Sequence, residues 1–193
     1  MLFRSLGAHT EPARALALLA VQRAASAMPV SGVTVTLVPD ARRAIAGWGL
    51  GGRTFGPAMV EIYIDPGLPD LALRMAERMP ALVAHELHHT MRWRGPGYGS
   101  TLLEAMVSEG LADHFAVELL GTAPPPWCDA FPQTQTDAYL DLARAEFDAS
   151  AYAHERWFFD AGLPQLPRWT GYTLGWRLVE AHLAAHPGSS AAT

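Results

Sequence analysis

Ala81-Leu82-Val83-Ala84-His85-Glu86-Leu87-His88-His89 is an apolar, helix-favouring run that ends in an HExxH pentad. On a helix, residues i and i+4 lie one turn apart on the same face, so His85 and His89 can turn both imidazoles toward one cation. Glu86, next to the first imidazole, is placed to reach a water on that cation rather than the cation itself. His88 offers a second pairing with His85 at i, i+3, but that choice gives Glu86 no role. Pro80 fits the first turn of this helix, where its missing N–H costs nothing, with a separate short helix expected over residues 70–79.

Two imidazoles leave a catalytic zinc short of a third protein ligand. The metzincin solution, a Gly and a third His just behind the pentad, is absent because Arg92 holds the Gly position. A carboxylate from another helix is the alternative. Thr101-Leu102-Leu103-Glu104 reads as a capping box opening a helix that runs to about Leu120 and stops at Gly121. On it Glu109 follows His89 by 20 residues, and Asp113 follows Glu109 by one helical turn. Leu102, Leu103, Met106, Val107, Leu111, Phe115 and Leu119 should bury this helix, and carboxylates buried with it need a partner or a metal. Glu104 and His114 are rival third ligands. Glu109 is favoured because it alone comes with a second carboxylate, Asp113, to orient an imidazole N–H.

HExxH followed by Glu-x-x-x-Asp resembles the gluzincin, thermolysin-like pattern of zinc peptidases. The blocks HELHH (85–89), TLLEAMVSEGLADHF (101–115) and GYTLGW (171–176) resemble more closely a bacterial family of predicted zinc-dependent proteases, domain of unknown function 2268, over residues 33–183. The resemblance implies a zincin-like α+β fold with Zn2+ held by His85, His89 and Glu109. It also implies Glu86 as catalytic base, Asp113 behind the ligands and a peptide or protein as substrate. Tyr172 reads equally as an oxyanion donor or as packing beneath the HExxH helix, and the resemblance tips it toward catalysis. His154, beside Trp157 and Phe158, is a second oxyanion candidate, with a structural role favoured. The alternative function is a catalytically silent metal-binding or interaction module, against which the intact Glu86 argues.

Elsewhere the chain excludes more than it proposes. Glu86-x-x-His89 also matches half of a di-iron motif, but no other Glu has a His three residues on. Its 193 residues, half of them hydrophobic, suit one domain with one core. A net charge of −5 with no Lys and no basic stripe gives no footprint for nucleic acid. Cys128 is the sole cysteine, which rules out an internal disulfide, and the prolines before it read as a linker. Residues 1–29 are interrupted by Glu11, Pro12, Arg14 and Arg23, too often for an export signal or a membrane span. A cytoplasmic protein is the expectation.

An amphipathic helix is expected over 11–27 and strands over 33–38 and 59–64, in a small, largely antiparallel sheet packed on helices. Met59–Ile64 is the candidate edge along which a peptide would lie. Gly49-Leu50-Gly51-Gly52 reads as a turn or a flexible segment bordering the substrate cleft, since no Gly-Lys-Ser/Thr follows. Helices are expected over 136–149, 152–159 and 172–185, before a frayed tail at 186–193.

Overall fold

A computed structural model describes residues 5–159 and 166–192. Thr193, at the end of the expected tail, lies outside the described residues. The fold is α+β, with a three-stranded mixed sheet among helices. The chain divides into two compact units, Met1–Gly95 with Leu119–Gly121, and Pro96–Glu118 with Thr122–Thr193.

In the first unit α1 (Thr10–Ala27) buries a stripe of alanines, Ala13, Ala17, Ala20 and Ala24. Side chains this small let α1 come close to α2 (Leu71–Trp93), its main neighbour. Strands β1 (Thr34–Pro39), β2 (Leu50–Thr54) and β3 (Met59–Ile64) follow, in the order β1-β3-β2. β1 runs parallel to β3 with Thr34 opposite Met59, and β2 antiparallel with Leu50 opposite Ile64. The sheet is therefore mixed, not largely antiparallel. Met59–Ile64 is its central strand, paired on both sides, which removes it as the edge for a peptide. Val60, Ile62 and Ile64 alternate along β3 and are wholly buried, as the two-residue period of a strand requires. α2 packs on β2 and β3.

Two expectations fail here for the same reason. In the glycine segment Gly49 does follow a turn, at φ +83°, but Leu50, Gly51 and Gly52 belong to β2, because hairpin pairing with β3 supplies the order their side chains do not. Pro80 lies inside one continuous helix over 71–93 rather than at the start of a second. A mid-helix proline costs about 3 kcal/mol or more. Met75, Met79, Leu82 and Val83, all buried along the helix on both sides of Pro80, offset that cost.

α3 (Leu102–Leu120), in the second unit as far as Glu118, opens on the expected reciprocal cap. The Glu104 N–H donates to Thr101 Oγ1 at 3.3 Å and the Thr101 N–H to Glu104 Oε2 at 3.0 Å. After α3 the chain turns through Gly121 at φ +63°, the left-handed conformation that ends many helices. Helices α4 (Thr136–Arg144) and α5 (His154–Phe158) are shorter than expected, and α6 (Thr170–Ala185) closes the set. α3 and α6 touch backbone to backbone. A Cβ on Gly110 would strike the Gly175 carbonyl, and one on Gly175 would strike that of Met106. Around this crossing Leu102, Met106, Phe131, Trp157, Phe158 and Leu174 form a buried cluster. Residues 122–132 are no mere linker, since Trp127, Cys128 and Phe131 are buried. Arg177 clips this segment to α6 through Asp129 at 2.8 Å and the Phe131 carbonyl at 2.7 Å. Beyond α6, Ala191 is also buried, so the terminal segment is not free along its whole length. No helix among the described residues is long and apolar enough to cross a membrane.

Candidate metal centre

α2 is buried on every side from Leu82 to Thr90, so the pentad sits in a dry segment. Helical spacing brings His85 Nε2 to 3.0 Å from His89 Nε2, with the rings edge-on at 4.7 Å between centroids. Two imidazole nitrogens facing each other this closely can share one proton or one cation between their lone pairs. The ring of His88 stands 6.4 Å from that of His89.

Glu86 is 5 % exposed, and β2 shapes its surroundings. The Thr54 hydroxyl lies 2.7 Å from Glu86 Oε2 and 2.9 Å from the Glu86 carbonyl oxygen. A Cβ at Gly52 would run into the Glu86 carboxylate, which explains a glycine inside a strand. Neither Thr54 nor this use of Gly52 was legible in the sequence, where residues 49–52 read as a turn or a flexible segment bordering the substrate cleft. Thr54→Val keeps the shape but withdraws the hydroxyl from a buried carboxylate. Loss of that donor is expected to cost about 1–3 kcal/mol, read from urea unfolding of the metal-free protein.

On α3, Glu109 is 6 % exposed and Asp113, one turn on, 2 %. The Tyr98 hydroxyl donates to Glu109 Oε1 at 2.6 Å. Burial, reinforced by the Glu109 charge and by Tyr172 nearby, pushes the Tyr98 pKa well above its ordinary value, so the hydroxyl keeps the proton it donates. Asp113 Oδ2 accepts from Trp127 Nε1 at 3.0 Å and from Cys128 Sγ at 3.4 Å. Burial, with Asp113 beside it, pushes the Cys128 thiol far up. It is a protonated donor and no nucleophile.

The rival third ligands are engaged elsewhere. Glu104 Oε2 takes the backbone N–H groups of Ser100 at 2.8 Å and Thr101 at 3.0 Å, bonds that lower its pKa. His114 stacks on Trp176 at 3.6 Å, with Nε2 3.1 Å from the Trp176 carbonyl oxygen. Tyr172 packs edge-on to Phe158 at 5.1 Å and tilted against Trp127 at 6.2 Å. His154 stacks on Phe158 at 4.5 Å, with Nδ1 3.1 Å from the Tyr152 hydroxyl. Burial lowers its pKa, with the Glu109 charge opposing.

Among the described residues, His85, His89 and Glu109 form a buried group able to hold a metal ion. Each offers one ligand atom, and these atoms all lie within 4.8 Å of one another. Two imidazoles and a carboxylate are a donor set that suits a divalent ion such as zinc and leaves a coordination position open.

The chain is 28 % identical over 146 residues to the uncharacterized protein YjfC of Bacillus subtilis (strain 168), covering 67 % of this chain and 46 % of that one. It thus spans about half the length of this curated relative. No solved structure matches this chain. The pattern of the family described as "Predicted Zn-dependent protease (DUF2268)" matches residues 20–193, and the chain belongs to that family.

Proposed function

We propose that the chain is a single zincin-like domain acting as a zinc-dependent peptidase of gluzincin type, on peptide or protein substrates in the cytoplasm. The observation that carries this reading is the buried His85, His89 and Glu109 group with ligand atoms within 4.8 Å, beside a glutamate fixed in the pentad. His85, His89 and Glu109 would hold the zinc. When bound, zinc supplies a water of lowered pKa and a Lewis acid for the scissile carbonyl.

The chain's own groups do the rest. Glu86 accepts the proton of the attacking water and passes it to the leaving amine. The hydroxyl of Thr54 and the bare backbone of Gly52 keep its carboxylate in one place. Asp113, itself held by Trp127 and Cys128, orients an imidazole through its distal N–H. Tyr172 donates to the oxyanion, and His154 serves the packing around Phe158. With β3 central, the strand beside Glu86 is β2, an edge strand in this sheet, and a peptide could add to it by main-chain hydrogen bonds. Nucleic acid has no part in this reading.

Metal analysis of the purified chain followed by digestion of a broad peptide library tests the proposal. About one zinc per chain is expected, with cleavage products that vanish on chelation and return with zinc. A zinc-loaded chain that cuts nothing in the library leaves the silent module as the better reading.

A further inference from the structure

The bond between Tyr98 and Glu109 points to a role beyond packing, one that rests on the zinc reading of His85, His89 and Glu109. Tyr98 belongs to the turn before α3, and that turn is built around it. Gly97 and Gly99 flank it at φ +87° and +106°, and a Cβ on Gly99 would strike the Glu104 side chain. The Glu104 carboxylate in turn pins the Ser100 and Thr101 N–H groups, and the Tyr98 ring packs against the buried cluster around Met106 and Phe158. The hydroxyl is thereby aimed at Glu109 Oε1, 2.6 Å away.

A carboxylate can grip a cation with one oxygen or with both. A two-oxygen grip by Glu109 would require Oε1 to leave Tyr98 or to be shared with it. We infer that Tyr98 is a positioning residue that confines Glu109 to metal binding through one oxygen, the one that does not accept from Tyr98. This keeps a coordination position available to water and substrate. The role differs from that of Asp113, which acts behind an imidazole.

Tyr98→Phe keeps the ring and its packing and removes only the hydroxyl. Three measurements on the full chain test the inference: chelator competition for zinc, the visible absorption of the chain loaded with cobalt(II) alone, and melting of the metal-free protein. In the variant the cobalt bands are expected to weaken and shift, because Glu109 is free to bind through both oxygens. Zinc affinity is expected to fall about 10–100-fold, the usual effect of losing a partner behind a ligand. A lower melting temperature with an unchanged cobalt spectrum and unchanged zinc affinity makes Tyr98 a structural residue and overturns the proposal. A wild-type chain that takes up neither cobalt nor zinc overturns the zinc reading as well, so the two failures are distinguishable.

Discussion

Glu86→Gln is expected to retain zinc and the fold while losing peptide cleavage by about 10²–10⁴-fold in kcat, the range set by a positioned general base. The substitution is nearly isosteric. Its amide oxygen can still accept from Thr54, which lies 2.7 Å from Oε2 in the native chain, and Gly52 still leaves room for the side chain. What disappears is the basicity, because an amide cannot take a proton from water near neutral pH. Binding of the peptide should change little, so the loss appears in kcat and not in KM. Zinc stoichiometry, melting temperature and steady-state kinetics on one cleaved peptide give the answer together. A variant that cleaves as fast as the wild type rules Glu86 out as the base.

The helices were legible where their ends carry side-chain chemistry. The reciprocal bonds of Thr101 and Glu104 and the left-handed Gly121 mark α3 almost to the residue, because capping is a local interaction between neighbours in the chain. The sheet was not legible in the same way. Side chains alternate with period two in parallel and antiparallel strands alike, so Val35, Leu37, Val60 and Ile62 announce strands without saying how they pair. Gly51 and Gly52 have low strand propensity, and only pairing with β3 and the closeness of Glu86 make them a strand. Pro80 misled for a related reason: its local cost is real, but burial of Met75, Met79, Leu82 and Val83 along one continuous helix outweighs it.

The candidate site divides along the same line. His85, His89 and Glu86 were readable because helix geometry alone fixes i, i+1 and i+4 relative to one another, and the same holds for Glu109 and Asp113. Their supports arrive from other segments. Thr54 comes from β2, Tyr98 from a glycine-rich turn, and Trp127 and Cys128 from a stretch whose prolines looked like a linker. No spacing rule connects Asp113 to Trp127, since their meeting is a property of the folded chain. Tyr98 left one faint trace, a tyrosine set between two glycines, which is compatible with many turns.

Glu109→Ala is expected to weaken metal binding more than any substitution behind a ligand. It deletes one of three ligands, so zinc affinity should fall further than the roughly 10–100-fold typical when only a partner behind a ligand is lost. Thermal stability supplies a second measure, because a ion bound only by the folded state stabilises it in proportion to its affinity. At a free zinc concentration 100 times the dissociation constant the gain is about 2.7 kcal/mol. The wild type should therefore melt higher with zinc than after chelation, and Glu109→Ala should show little of that increase at the same zinc concentration. Without metal the variant need not be less stable, since removing Glu109 also removes a buried carboxylate, although the Tyr98 hydroxyl loses its partner. Glu109→Gln separates these effects. It retains an acceptor for Tyr98 and the volume of the side chain while giving up the negative charge, so it should melt like the wild type when metal-free and bind zinc weakly. If Glu109→Ala holds zinc through chelator dialysis as firmly as the wild type, Glu109 is not a ligand, and the closeness of its carboxylate to the two imidazoles has another cause.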